Sequence, residues 1–202
     1  MRIVFATGNE HKMKEIRAIL GDLDIEVISM KEAGADVDVE ENGETFEENA
    51  LIKARAVSKL LPDDIVLADD SGLVIDALNG EPGVHSARFM GHDTSYDIKN
   101  KAILDKLSGV ADEKRSARFV CAIAMVLTTK CGRTEERVTK SAFEGRIGYE
   151  IKGENGFGYD PIFYVPDVEK YSAELSFEEK NERSHRGGAL RKMKEILREE
   201  IL

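Results

Sequence analysis

Residues 117–127, ARFVCAIAMVL, constrain the fold more than any other stretch of this chain. The run is too uniformly apolar for a strand with one face in water, and far shorter than the roughly 20 apolar residues of a membrane span. It predicts a central strand covered on both faces, which is the mark of a sheet packed between helices. The rest of the chain supplies the partners by alternating strand and helix patterns. RIVFAT (2–7), DIEVISM (24–30) and DIVLA (64–68) are short apolar strands. HKMKEIRAIL (11–20) places Met13, Ile16, Ile19 and Leu20 on one helical face. A second helix over 44–61 opens with a capping box, Thr45 to Glu48, carries Phe46, Ala50, Ala54, Val57 and Leu61 in one stripe, and stops before Pro62.

A turn-rich segment, LNGEPGVHS (78–86), precedes a helix near 95–107 with Ile98, Ala102, Ile103 and Leu107 inward. ERVTKSAFEGRI (136–147) alternates and suits a strand beside the central one. Glycine-rich GENGFGYDPIFYV (153–165) is a loop running into another strand. The chain closes on an amphipathic helix, 187–202, with Leu190, Met193, Ile196, Leu197 and Ile201 inward. No repeat, low-complexity tract or linker interrupts this pattern, which predicts one α/β domain over 1–202.

The chain carries 29 basic and 39 acidic residues, a formal net charge of −10. Such a chain repels nucleic-acid backbones, so a nucleic-acid partner is not expected. A polyanionic small substrate stays open, given a local basic pocket or a divalent metal. No membrane span or signal peptide is read, and a soluble, cytoplasmic protein is expected. Of the two cysteines, Cys121 sits in the apolar run and reads as core, and Cys131 lies near a turn. Without CxxC spacing, neither a zinc site nor a disulfide framework is indicated.

Four stretches could carry chemistry, and each has a plainer explanation. ATGNEHK (6–12) joins a strand to a helix, where unpaired helix-start N–H groups, with Asn9 and Lys12, make a generic anion site. Taken alone, the segment is better read as an ordinary turn with Thr7 as N-cap and Glu10 as capping-box partner. DVEENGETF (38–46) gathers Glu40, Glu41 and Glu44, hard oxygen ligands suited to Mg²⁺, or simply a solvated acidic loop at a helix start. GFGYDPIF (156–163) could let backbone approach a ligand with an aromatic beside it, or be a turn. EEKNERSHRGG (178–188) brings Lys180, Ser184, His185 and Arg186 before the last helix, as a cationic site or a polar capping loop.

Taken together, TGNxxK, GETFEENAxxKA, ADDSGL, PGxxSAR, GFGYDPIF and SHRGxAL stand in an order and spacing that resemble the inosine triphosphate pyrophosphatase family, from residue 3 to about 191. The resemblance implies hydrolysis of non-canonical purine nucleoside triphosphates (dITP, ITP, XTP) to monophosphate and pyrophosphate. It implies an elongated α/β fold, with a long twisted mixed sheet, flanking helices and an active-site cleft between two lobes. It also implies Mg²⁺ as cofactor and a homodimer. Residue by residue, it gives the phosphates to Thr7, Gly8, Asn9, Glu10, His11 and Lys12, with Lys53. Glu40 and Asp70 become metal ligands, and Asp70 the catalytic carboxylate, with Ser71 beside them. Phe157, Gly158, Tyr159 and Asp160 frame base and sugar, and Lys180, His185 and Arg186 reach the base. A pyrimidine-directed pyrophosphatase and a nucleotide sensor that does not hydrolyse are the competing readings, disfavoured by SHRGG and by the intact acidic set respectively.

Two positions depart from the family pattern, Asn79 in LNGEPG and Asn155 in NGFGYD, each where glycine is usual. Asparagine tolerates positive φ best after glycine, which predicts an unchanged backbone in both loops. The adjacent Asp69 and Asp70 pose a separate problem. In a regular strand they face opposite ways, and only if the strand ends there could both serve one site. The expected task of Asp69 is therefore different from that of Asp70: bonding turn backbone, or supporting the outer shell of a metal.

Overall fold

The computed structural model describes residues 1–35, 37–129 and 132–201; Cys131 lies outside them. Its strands are β1 (Ile3–Phe5), β2 (Val27–Ser29), β3 (Ile65–Ile75), β4 (Ser116–Thr128), β5 (Thr134–Ile147), β6 (Phe163–Val165) and β7 (Lys170–Tyr171). They form one mixed sheet in the order β2-β1-β3-β4-β5-β6-β7. β1 runs parallel to β2 and β3, in register Ile3 to Val27 and Ile3 to Ile65, whereas β5, β6 and β7 pair antiparallel. The apolar run falls on β4, the middle strand, and residues 119–127 are all buried. The helices are α1 (Glu10–Leu20), α2 (Phe46–Ser58), α3 (Tyr96–Lys106), α4 (Phe177–Arg183) and α5 (His185–Ile196). Among the described residues, no helix is long and apolar enough to cross a membrane.

The chain packs as two compact units. The first comprises Met1–Asp70, Cys121–Ser141 and His185–Leu202. Its core sets Ile3, Phe5, Ile65, Leu67, Ile123 and Met125 from the strands against Met13, Ile16 and Leu20 of α1 and Leu190 and Met193 of α5. Strand residues alternate faces, so Ile65 and Leu67 commit the odd positions of β3 to the α1 and α5 side. α2 begins with the predicted capping box: Glu48 N donates to Thr45 Oγ1 (3.1 Å), and Thr45 N to Glu48 Oε2 (3.2 Å).

The second unit comprises Ser71–Val120 and Ala142–Ser184, around Leu73, Ile75, Leu107, Phe119, Phe143 and Phe163. Here α3 is rotated from the expected facing. Ile98 is 54% exposed, and the polar Lys99 and Asn100 are buried with Ile103. Arg115 is also buried, its guanidinium donating to the carbonyls of Leu107, Ile147 and Gly148.

Three further differences from the sequence expectation have local causes. β3 does not end at Ala68 but runs through Asp69 and Asp70 to Ile75. The segment before the last helix is itself helical: Ser176 and Glu179 form a capping box that starts α4, and His185 and Arg186 are the first turn of α5, not a loop. Asn79 takes the left-handed conformation (φ +53°), as predicted, but Asn155 does not. Asn155 instead uses its side chain as a tie, Nδ2 donating to Leu175 O (3.1 Å) while its N–H reaches Ala173 O.

Candidate active site

Because β3 stays regular, Asp69 and Asp70 point to opposite faces of one strand. Asp69 joins the odd face and meets two cations. Lys12 Nζ lies 2.9 Å from Oδ2, and the Arg186 guanidinium donates to the same oxygen at 3.3 Å. Arg186 also pairs with Glu15 (2.5 Å), completing a chain Lys12–Asp69–Arg186–Glu15, buried except at Lys12, whose formal charges cancel. Burial alone would raise the Asp69 pKa, but Lys12, Arg186 and Lys53 together outweigh it and hold the group well below the ordinary carboxylate range. Asp69 thus faces away from Asp70 and is not half of a proton-sharing dyad.

Asp70 has the opposite environment. It is 7% exposed, and Asn49 Nδ2 of α2 donates to its Oδ2 (3.1 Å). Burial first, and the negative charges of Glu41 and Asp69 after it, push its pKa up to about 6 against the pull of Lys53 and Asn49. The strand therefore holds one carboxylate firmly ionised and its neighbour near the pH range where it can take or give a proton.

The N-terminal loop is built differently from the expected turn. Asn9, not Thr7, caps α1: its Oδ1 accepts from His11 N (2.9 Å) and Lys12 N (3.2 Å), while Thr7 Oγ1 accepts from Asn9 N. Glu10 forms no capping box, which removes the folded-back carboxylate that would repel an anion there. Gly8, Asn9, Glu10 and His11 are exposed, and Thr7 is buried. Thr7, Gly8, Lys12 and Lys53 line one cavity of about 220 Å³, together with Asp38 and Glu41. Lys53 pairs with Glu41 across 3.2 Å. Glu41 thus occupies the cavity wall, while Glu40, the expected metal ligand, is exposed on the same loop. Among the described residues, no three His, Cys, Asp or Glu side chains cluster to hold a metal by themselves.

In the second unit, Ser71 follows Asp70 along β3, half-buried. The glycine loop is organised around Asp160, which is 3% exposed and accepts from Phe157 N (2.8 Å), Ser172 Oγ (2.8 Å) and Lys180 Nζ (2.5 Å). Gly156 sits at φ +77°, and any Cβ there would strike the Asp160 carboxylate; the tight approach requires glycine. Lys180 Nζ also stands 4.9 Å over the Phe157 ring, and Phe157 remains partly exposed. Tyr159 is buried, its hydroxyl donating to Ser86 O. Phe157 thus presents itself, whereas Tyr159, Asp160 and the buried Lys180 shape the loop from within. His185 is buried at the start of α5 in the first unit. Arg186, expected to read a base, turns its guanidinium onto Glu15 and Asp69, and its side chain is 3% exposed.

Asn49, Glu15, Lys99 and Asn100 were not anticipated from the sequence. Each is a polar residue at a core spacing: Asn49 lies three residues from Phe46 and four from Lys53 on α2, and Glu15 three from Lys12 on α1.

A model of the Ham1 family matches residues 3–196. Relatives named dITP/XTP pyrophosphatase include those of Caldanaerobacter subterraneus subsp. tengcongensis, 47% identical over 98% of this chain and 96% of the relative, and Bacillus anthracis, 47% identical over 100% and 98%. Among solved structures, the Staphylococcus aureus Ham1 protein superposes with a TM-score of 0.86 at 43% identity, covering 98% of each chain. A HAM1 protein from Coxiella burnetii gives 0.88 at 42%, covering 98% and 99%. In sequence and in backbone, over nearly its whole length, this chain belongs to the Ham1 family.

Proposed function

We propose that this protein hydrolyses non-canonical purine nucleoside triphosphates, dITP, XTP and ITP, to the nucleoside monophosphate and pyrophosphate. The observation that carries the reading is the split carboxylate pair of β3 beside a lysine-lined cavity. Water attacks the α-phosphorus in line, the bond to the β-phosphate oxygen breaks, and pyrophosphate leaves. Asp70, with a pKa near 6 in the ligand-free protein, serves that water as general base or, with a cation bound, as the ligand that orients it. Lys12 and Lys53 bind the triphosphate with the backbone of residues 7–12, and the buried Asp69 and Arg186 hold Lys12 in place. The charge added by the triphosphate has to be met by cations, since each lysine already faces a carboxylate.

The donor set fits a hard divalent ion: oxygen ligands alone, and too few for an all-protein cage. Mg²⁺ is characteristically held by one or two carboxylates plus substrate phosphates. Asp70 and Glu40 would hold it, with Glu41 as the nearer neighbour of Lys53. When bound, it would neutralise charge on the leaving pyrophosphate. Base selection follows donor–acceptor logic: hypoxanthine and xanthine offer a 6-keto acceptor where adenine offers a 6-amino donor. Lys180 and His185 supply donors, Phe157 an aromatic face, and Ser71, Gly158, Tyr159 and Asp160 the framing, while Arg186 acts through Asp69. The family likeness extends the proposal to Mg²⁺ dependence, a homodimer and a cytoplasmic setting.

The test is a panel of dITP, XTP, ITP, dGTP and dATP with Mg²⁺, scored for pyrophosphate and for orthophosphate. Pyrophosphate release is expected, with the keto-purine analogues at least about tenfold ahead of dATP in kcat/KM. Stepwise orthophosphate release, or equal rates across the panel, would refute the reading.

A further inference from the structure

The segment PGVHSAR (82–88) takes no part in the chemistry above, yet two of its carbonyls are engaged by buried side chains of the second unit. Ser86 O accepts from the Tyr159 hydroxyl (2.8 Å), and Ala87 O from Lys99 Nζ (2.7 Å). Ser86 Oγ locks the segment further, accepting from Leu73 N (2.9 Å) and donating to Gly83 O (2.6 Å). The next residue of α3, Asn100, donates from Nδ2 to Gly158 O (3.1 Å). Tyr96, one turn earlier, packs edge-on against Tyr159 with ring centroids 5.1 Å apart, and its own ring lies under Lys99 Nζ. The first turns of α3 therefore tie together two segments that are distant in sequence.

These ties are expensive for mere cohesion. Lys99 and Asn100 are each 1% exposed, burial lowers the Lys99 pKa, and Asn100 Oδ1 is buried with no hydrogen-bond partner. An apolar side chain at either place would avoid those costs. What the polar groups provide is position, because both bond main-chain carbonyls of the segments they hold. Gly158 is the residue after Phe157, at φ +70°, so fixing its carbonyl fixes how the Phe157 ring is presented. Asp160 grips the same loop from the other side through Phe157 N.

We propose that Lys99 and Asn100 are positioning residues for base recognition: they set the loop 157–160 against the segment 82–88, and so govern affinity for the purine end of the substrate without touching the triphosphate end. The inference rests on the proposed function and deepens it.

Asn100→Leu keeps the volume and removes both the bond and the unpartnered oxygen; Lys99→Met keeps the length and removes the charge. Exposed Lys101 on the same helix, as Lys101→Ala, is the control. The measurements are kcat and KM for dITP, and calorimetric Kd values for inosine monophosphate and for inorganic tripolyphosphate, both with Mg²⁺. For Asn100→Leu, KM for dITP and Kd for the monophosphate should rise about tenfold together, with kcat and tripolyphosphate affinity within about threefold of wild type and the preference for dITP over dATP reduced. Lys99→Met should shift the same quantities the same way by a smaller factor, and decides the matter should Asn100→Leu not fold. Unchanged monophosphate affinity, or a parallel loss of monophosphate and tripolyphosphate binding, overturns the proposal. Wild-type protein inert towards dITP, XTP and ITP would sink the functional reading itself, a result visible without any variant.

Discussion

Asp70 is stabilising for chemistry and destabilising for the ligand-free fold, and the two can be separated by Asp70→Asn. Asparagine matches the carboxylate in shape and still offers Asn49 an acceptor, but it carries no charge. The folded-state pKa of Asp70 is raised from 3.8 to about 6, a net result that already includes the favourable Lys53 charge and the Asn49 bond. A carboxyl with a raised pKa binds its proton more tightly in the folded than in the unfolded chain. Its contribution is therefore intact below pH 4 and is lost as pH rises through 6. At about 1.4 kcal/mol per pKa unit, keeping Asp70 ionised at pH 8 costs the ligand-free protein about 3 kcal/mol. For a chain of this size that corresponds to roughly 6–12 °C in Tm.

The assay is thermal unfolding in EDTA from pH 4 to pH 8. Asp70→Asn should melt with wild type near pH 4 and progressively above it towards pH 8, while turnover of dITP falls by at least about a thousandfold. Adding Mg²⁺ should narrow the gap at pH 8 by stabilising wild type, since the ion binds the ionised carboxylate. A variant that melts below wild type at pH 8, or a Tm difference independent of pH, would refute the electrostatic argument; near-normal turnover would refute the catalytic role.

The same geometry makes further predictions. Arg186→Met leaves Asp69 and Glu15 buried with a cation missing, and should cost about 3–5 kcal/mol, read as a Tm drop of roughly 10 °C by scanning fluorimetry; a variant that melts with wild type would refute the structural weight given to the buried ion pairs. Asn9→Ala removes the cap that accepts from His11 N and Lys12 N, for a loss of about 1 kcal/mol in chemical denaturation with no change in m-value. Mg²⁺ affinity, measured by calorimetry, should fall about tenfold per pH unit below pH 6 and level off above pH 7 in wild type, and lose that dependence in Asp70→Asn.

The fold was legible where one residue pattern forces one structure. An apolar run has to be covered on both faces, and residues 119–127 are indeed buried in the middle strand. The Thr45 and Glu48 capping box needs local geometry alone, so α2 starts where the sequence says. The misreadings come from residues whose partners are remote. On α3 the apolar period pointed Ile98 inward, but the carbonyls of Ala87 and Gly158 lie on the other side and draw Lys99 and Asn100 in. The helix α4 went unread although its own capping box, Ser176 to Glu179, is as explicit as that of α2. Its short, charged sequence offers no apolar stripe to accompany the cap.

At the site, residue types were legible and pairings were not. Asp69 and Asp70 are the same side chain on consecutive residues, and nothing in DDSG separates them chemically. The separation comes from strand parity, which sends Asp69 to α1 and α5 and Asp70 to α2. Lys12 and Arg186 then lie on one side at hydrogen-bonding distance, while the other side offers an amide and the charge of Lys53. Slipping the strand by one residue would exchange the two ionisation states, pairing Asp70 with Lys12 and Arg186 and leaving Asp69 as the carboxylate of raised pKa on the α2 face. The continuous strand from Ile65 to Ile75 is therefore a functional element as much as a structural one: its regularity decides which of two identical acids can move a proton near neutral pH.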